Sequence, residues 1–99
     1  MDYEWDPAKN RRNIKKHKVS FEQAKIALED PFRLYFYDEL HSLNEERYII
    51  LGKAEGRLLF VSILWVEENI IRIISARRAN KNEMEAYNEN CSIFFGKRT

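Results

Sequence analysis

Two runs of basic residues hold most of the chemistry this chain can offer. Lys9, Arg11, Arg12, Lys15, Lys16 and Lys18 lie close together with His17 among them and no acid between. Arg72, Arg77, Arg78 and Lys81 form a second run, again without an acid. The chain as a whole carries 17 Lys and Arg against 16 Asp and Glu, so the positive charge is segregated rather than in excess. Segregated cations beside apolar strands suit a polyanion that must be held in one place.

On a helix turning by about 100° per residue, Lys9, Asn13 and Lys16 share one stripe. His17 sits at its edge, next to Ile14. Such a face can meet a phosphate chain, with His17 close enough to move a proton. Lys15 and Lys18 are explained as well by the negative end of a helix dipole, and a histidine at a helix end is more often a cap than a catalyst. Asn13 gains nothing as a helix former, which favours a role for the stripe. In the second run, strict alternation along a strand points Arg72, Ile74, Ala76 and Arg78 one way and Ile71, Ile73, Ser75 and Arg77 the other. Arg77 and Arg78 then face opposite sides. Arg is suited to bidentate phosphate contact. A purely structural account pairs these arginines with Asp38, Glu45, Glu46, Glu83 or Glu85, and one of them is expected to pair internally. Glu46-Arg47 enters a strand beside the polar loop Asp38 to Ser42, where an acid could accept a proton or orient Arg47 or His17. Tyr87 could stack on a base, although a helical aromatic four residues from Glu83 reads first as packing. Tyr35, Phe36 and Tyr37 are expected in the core.

Other chemistries find no support. Three glycines make no phosphate loop. No His, Cys or carboxylate cluster has metal-ligand spacing, and no nucleophile elbow is present. No cofactor is expected. What remains is acid–base chemistry with cations and no metal, or binding alone. Cleavage of RNA asks for nothing more. Its own 2′-hydroxyl attacks the adjacent phosphate, cations stabilise the developing charge, and a side chain moves the proton.

These residues need elements to position them. Tyr3 and Trp5 alternate with acids as a short first strand. Asp6-Pro7 caps and opens a helix running to about His17, thin and surface-lying because Ile14 is its only large apolar residue. Ser20 with Gln23 forms a capping box for a second helix to about Glu29, its inner face Phe21, Ala24, Ala27 and Leu28. Strands follow at Arg33 to Asp38, Arg47 to Gly52, Leu58 to Trp65 and Ile70 to Arg77, with a hairpin turn at Lys53 to Gly56. Short connections make an antiparallel meander the economical topology. Asn80 with Glu83 starts a last helix to about Asn90. Ser92 to Gly96 is an apolar stub that adds an edge strand, packs on the sheet or meets a partner.

The expected class is therefore α+β in one domain spanning residues 1–99, with 91–99 as a tail. At 44% hydrophobic residues the chain can build a core. One cysteine, Cys91, leaves no disulfide framework. No signal peptide is read at the N-terminus and no apolar run spans a membrane, so a soluble cytoplasmic protein is expected.

The ordered set Tyr3-Glu4-Trp5-Asp6-Pro7-x-Lys9, Asn13-x-x-Lys16-His17-x-Val19-Ser20-Phe21, Asp30-Pro31, Glu46-Arg47-Tyr48, Gly52 and Ile71 to Ala79, with Glu83, Glu85 and Tyr87, resembles the BrnT toxins. These are the ribonuclease partners of bacterial type II toxin–antitoxin modules. The resemblance runs from Tyr3 to Tyr87. It implies a RelE-like fold and metal-independent RNA cleavage that arrests translation. It also implies neutralisation by a BrnA-type ribbon-helix-helix antitoxin, operator DNA being met only through the complex. A homodimer, or a heterotetramer with the antitoxin, is compatible with it. The implied catalytic residues are Lys16, His17, Arg47, Arg77 and Arg78; the implied RNA-binding residues are Lys9, Asn13, Arg72 and Tyr87. The chain departs from the pattern at Lys18, where the family usually has Gly. A Gly there takes the left-handed conformation that ends a helix, and Lys adopts it only at a cost. The competing account is a non-catalytic module that binds nucleic acid or antitoxin as a co-repressor, since binding and cleavage want the same cations.

Overall fold

The computed structural model describes residues 1–94, with side chains to residue 90. Strands β1 (Asp2–Glu4), β2 (Leu34–Tyr37), β3 (Arg47–Ala54), β4 (Arg57–Glu67) and β5 (Ile70–Arg78) form one sheet, and helices α1 (Pro7–His17), α2 (Phe21–Leu28) and α3 (Lys81–Phe94) pack around it. The strand order is β1-β5-β4-β3-β2. Strands β2 to β5 are the expected meander, while β1 pairs in parallel with the start of β5. The expected α+β class and its count of helices and strands therefore stand. Residues 92–94 continue α3 and do not form an edge strand; the rest of the expected stub lies outside the described residues.

Local chemistry explains the starts and stops. Asp6 accepts a hydrogen bond from the Ala8 amide and Pro7 opens α1. Ser20 and Gln23 exchange both bonds of the capping box, and Asn80 and Glu83 do the same for α3. Glu55 and Gly56 turn β3 into β4 with positive φ at both residues, the conformation a two-residue hairpin needs.

Helix α2 and the first turn of the chain bury one face of the sheet. Phe21, Ala24, Ala27 and Leu28 meet Ile50, Leu59, Val61, Ile63, Ile71, Ile73 and Ala76, with Trp5 edge-on to Phe21. Gly52 sits where α2 comes closest, since a Cβ there would stand 2.1 Å from the Ala27 carbonyl oxygen.

Helix α1 lies on the surface as expected, with Ile14 42% exposed, and Asn13 is its buried residue. Two expectations are corrected. Tyr35, Phe36 and Tyr37 are nearly half exposed. They lie on edge strand β2, which has a strand on one side only, and α2 packs on β3 instead. Strict alternation fails in β5. Ser62 pairs with Ser75 and Ile63 with Ile73, leaving Ile74 as the extra residue of a β-bulge. The bulge shifts the phase by one. Ile71, Ile73 and Ala76 all face the core, while Arg72, Ser75 and Arg77 share the other face with Leu64, Ser62 and Phe60. Arg47, paired with Leu64, joins them. Arg72 thus keeps company with Arg77, and Arg78 faces the opposite side.

Candidate active site

The face away from α1 and α2 is covered by α3 at one end only. Tyr87 is buried there and its hydroxyl donates to Asp30 Oδ2. The Lys53 ammonium lies 5.7 Å from the centre of its ring. Tyr87 is therefore a packing residue, and its expected role in binding RNA is not supported, because neither face nor hydroxyl is presented to solvent. Asp30 also accepts from the amides of Lys53 at 2.8 Å and Phe32 at 2.9 Å. Burial pushes the Asp30 carboxyl up, but the Tyr87 and amide hydrogen bonds outweigh it and hold the group below its ordinary value.

Asn13 has a structural task as well. Its Nδ2 donates to the carbonyls of Val19 and Ala76, both at 2.8 Å, and its Oδ1 accepts from the Ala76 amide at 3.2 Å. Beyond β1 the edge of β5 has no neighbouring strand, and the Asn13 amide stands in for one. This fastens α1 beside β5. It also removes Asn13 from the phosphate-contacting set, since both of its amide hydrogens are engaged with backbone.

With α1 fixed in this way, Lys9, Asn13, Lys16 and His17 line a cleft of about 340 Å³ with Arg12, Ile74 and Ser75. Lys9 and Ile74 also line a neighbouring cleft with Glu4, Trp5, Asp6 and Arg72. Ser75 is shared in turn with a third cleft, of about 350 Å³, whose other residues are Asp38, Leu40, His41, Arg47, Ile49, Phe60 and Ser62. The three adjoin over the bulge of β5. Through their shared residues Lys9, Ile74 and Ser75 they make one track, and Arg72 and Arg47 stand on it at either side of Leu64.

The arginines differ in how tightly they are held. Arg77 grips Glu83 with two bonds of 3.0 and 2.9 Å, donates to the Arg78 carbonyl, and stacks 3.8 Å above Phe60. Burial raises the Glu83 carboxyl, yet the Arg77 bond and the Asn80 amide lower it further, for a net downward shift. Arg77 is thus the most firmly paired of the arginines, tying the end of β5 to the first turn of α3. Arg72 meets Glu4 at 2.5 Å and Arg47 meets Glu45 at 2.9 Å, both near the surface. Exposed pairs of this kind are weak and can give way to a phosphate. Arg78 is exposed, with no ion-pair partner among the described residues, and lines none of the three clefts.

One pair was missed in the sequence. His41 Nδ1 lies 2.9 Å from Asp38 Oδ2, with side chains 65% and 11% exposed respectively. The three-residue spacing, one turn of the 3₁₀ helix Glu39–His41, was the available signal. The loop is pinned to β3: Ser42 Oγ donates to the Asp38 carbonyl at 2.5 Å and accepts from the Arg47 amide at 2.9 Å, and the Asp38 amide donates to the Arg47 carbonyl at 2.9 Å. Among the described residues no three His, Cys, Asp or Glu side chains converge on a point that could hold a metal ion, and no helix is long and apolar enough to cross a membrane.

Comparison with known proteins gives two results. The family model described as the ribonuclease toxin BrnT of type II toxin–antitoxin systems matches residues 5–83. The fold is similar to the crystal structure of the Brucella abortus ribonuclease toxin BrnT, with a TM-score of 0.64 and 24% identity over 82% of this chain and 99% of that one. No curated protein matches.

Proposed function

The chain belongs to the BrnT family of ribonuclease toxins of type II toxin–antitoxin systems, and from that premise we propose that it cuts RNA without a metal ion, by attack of a 2′-hydroxyl on the adjacent phosphate. The observation that carries this reading is the track of clefts over the β5 bulge, where Lys9, Lys16, His17, Arg47 and Arg72 come together from three separate elements. A phosphate passing through pentacoordinate geometry gains negative charge on its non-bridging oxygens. Arg47 and Lys16 supply fixed positive charge for it, while Lys9 and Arg72 hold flanking phosphates. Arg77 contributes by bracing the cleft floor at Phe60, and Arg78 reaches RNA only from the other face.

The reading includes a BrnA-type antitoxin with a ribbon-helix-helix domain that neutralises the enzyme in the bacterial cytoplasm by covering this track. The exposed edge of β2, with Tyr35, Phe36 and Tyr37, offers such a partner a strand to extend. The decisive experiment is incubation of purified protein with single-stranded RNA in excess chelator. Cleavage leaving 2′,3′-cyclic or 3′-phosphate ends supports the proposal. Cleavage abolished by chelator and restored by magnesium overturns the metal-free mechanism, and binding without cleavage makes the chain a non-catalytic module.

A further inference from the structure

We infer that His41, oriented by Asp38, is the base that takes the 2′-hydroxyl proton. The inference rests on the ribonuclease reading and adds to it the proton acceptor. The pair has the asymmetry of a functional couple. Asp38 is nearly enclosed while the His41 ring projects into solvent, so the carboxylate orients a ring that remains reachable. A carboxylate beside Nδ1 selects the tautomer with its proton there. Nε2, on the far side of the ring, is left as an acceptor. Both residues line the cleft that holds Arg47, with Ser62 and Ser75 among its other lining residues.

The distance between base and phosphate-binding cation is built into the backbone. Ser42 and the Asp38–Arg47 amide–carbonyl bond fasten the His41 loop to the first residue of β3. His17 lacks this support, for it has no hydrogen-bond partner among the described residues to fix its tautomer, and it lies in the adjoining cleft beside α1. A purely structural role explains the His41 pair less well. Ser42 already closes the loop, and an exposed ring adds little to stability.

The step balances as follows. The 2′-oxygen forms a bond to phosphorus and gives its proton to His41 Nε2, whose new charge faces Asp38. The bond from phosphorus to the 5′-oxygen breaks, and that oxygen takes a proton from water. His41 then returns its proton to the hydroxide so formed. The products are a 2′,3′-cyclic phosphate and a 5′-hydroxyl.

The test compares wild type, His41→Ala and Asp38→Asn on one single-stranded RNA in excess chelator, with melting temperatures and added imidazole. The expected result is a fall in kcat of about a hundredfold for His41→Ala with KM and melting temperature close to wild type. Free imidazole should restore about tenfold of that loss. Asp38→Asn should lose kcat too, but without rescue, because its own ring still fills the site. A His41→Ala enzyme within about threefold of wild-type kcat overturns the assignment while leaving the ribonuclease reading intact. So does a large loss that follows melting temperature or KM and ignores imidazole. A wild-type protein that cleaves no RNA overturns both.

Discussion

Lys18 ends α1 with φ at 61°, and its amide donates to the Ile14 carbonyl at 2.8 Å. A side chain in the left-handed region costs roughly 1–2 kcal/mol relative to glycine. Lys18→Gly should therefore stabilise the fold by about 1 kcal/mol, partly offset by the looser unfolded chain, and raise the melting temperature by roughly 4–8 °C. Lys18 is thus a point of backbone strain at the helix end, next to His17. Asn13 makes the opposite case. Removing its amide leaves the Ala76 amide and carbonyl and the Val19 carbonyl without partners in a buried place. Asn13→Ala should cost about 2–4 kcal/mol in a denaturant titration, yet the remaining folded protein should keep its KM for RNA. A KM raised tenfold with stability intact would return Asn13 to the phosphate-contacting set. The sequence showed that Asn13 was out of place as a helix former. It could not show that the partner was a strand edge more than sixty residues away.

Elements were largely legible because each announces its own ends. Asp6-Pro7, Ser20 with Gln23 and Asn80 with Glu83 are local signals, and each formed the contact its residue types imply; the turn expected at Lys53 to Gly56 tightens to Glu55-Gly56 because β3 runs on to Ala54. The β5 bulge was not legible, because it depends on the register between Ser62 and Ser75, and register is a property of two strands. That one residue decides which arginines share a face. Gly52 was legible only as part of a pattern; its cause is the approach of Ala27. Gly52→Ala must push α2 from β3 by more than 1 Å, so a loss of about 3 kcal/mol or failure to fold is expected in thermal melts. The junction of α3 with the sheet carries a pH signature. Asp30 is depressed in the folded state, so its contribution is present above its unfolded value near pH 4 and is lost as pH falls through the folded one. Tyr87→Phe should cost about 2 kcal/mol at pH 7 and progressively less at the acid pH where the folded Asp30 carboxyl takes up its proton. Denaturant titrations at the two pH values check the sign; an equal loss at both means that the hydroxyl does not act through the carboxylate.

At the scale of the whole molecule the formal net charge is only +1, so RNA feels no strong long-range attraction to the protein as a unit. What it meets is a local band. The basic runs were visible in the sequence, but their convergence was not, because Lys9 and Lys16 come from α1, Arg72 from β5 and Arg47 from the start of β3. Only the fold shows that Arg77 is committed to Glu83 and that Arg78 lies off the track. The cations that line the track number five, Lys9, Arg12, Lys16, Arg47 and Arg72, of which Arg47 and Arg72 must first leave Glu45 and Glu4. Each phosphate contact with single-stranded nucleic acid releases about 0.7 of a counterion, so with about four of them engaged the logarithm of the binding constant should fall with the logarithm of salt concentration with a slope of roughly −3. Binding measured by fluorescence anisotropy across a salt series tests this. Lys9→Ala should flatten the slope by roughly 0.7, whereas Arg78→Ala should leave it unchanged. A wild-type slope near zero would mean that the basic band serves an acidic protein partner. An Arg78 effect as large as that of Lys9 would place the RNA on the opposite face of β5.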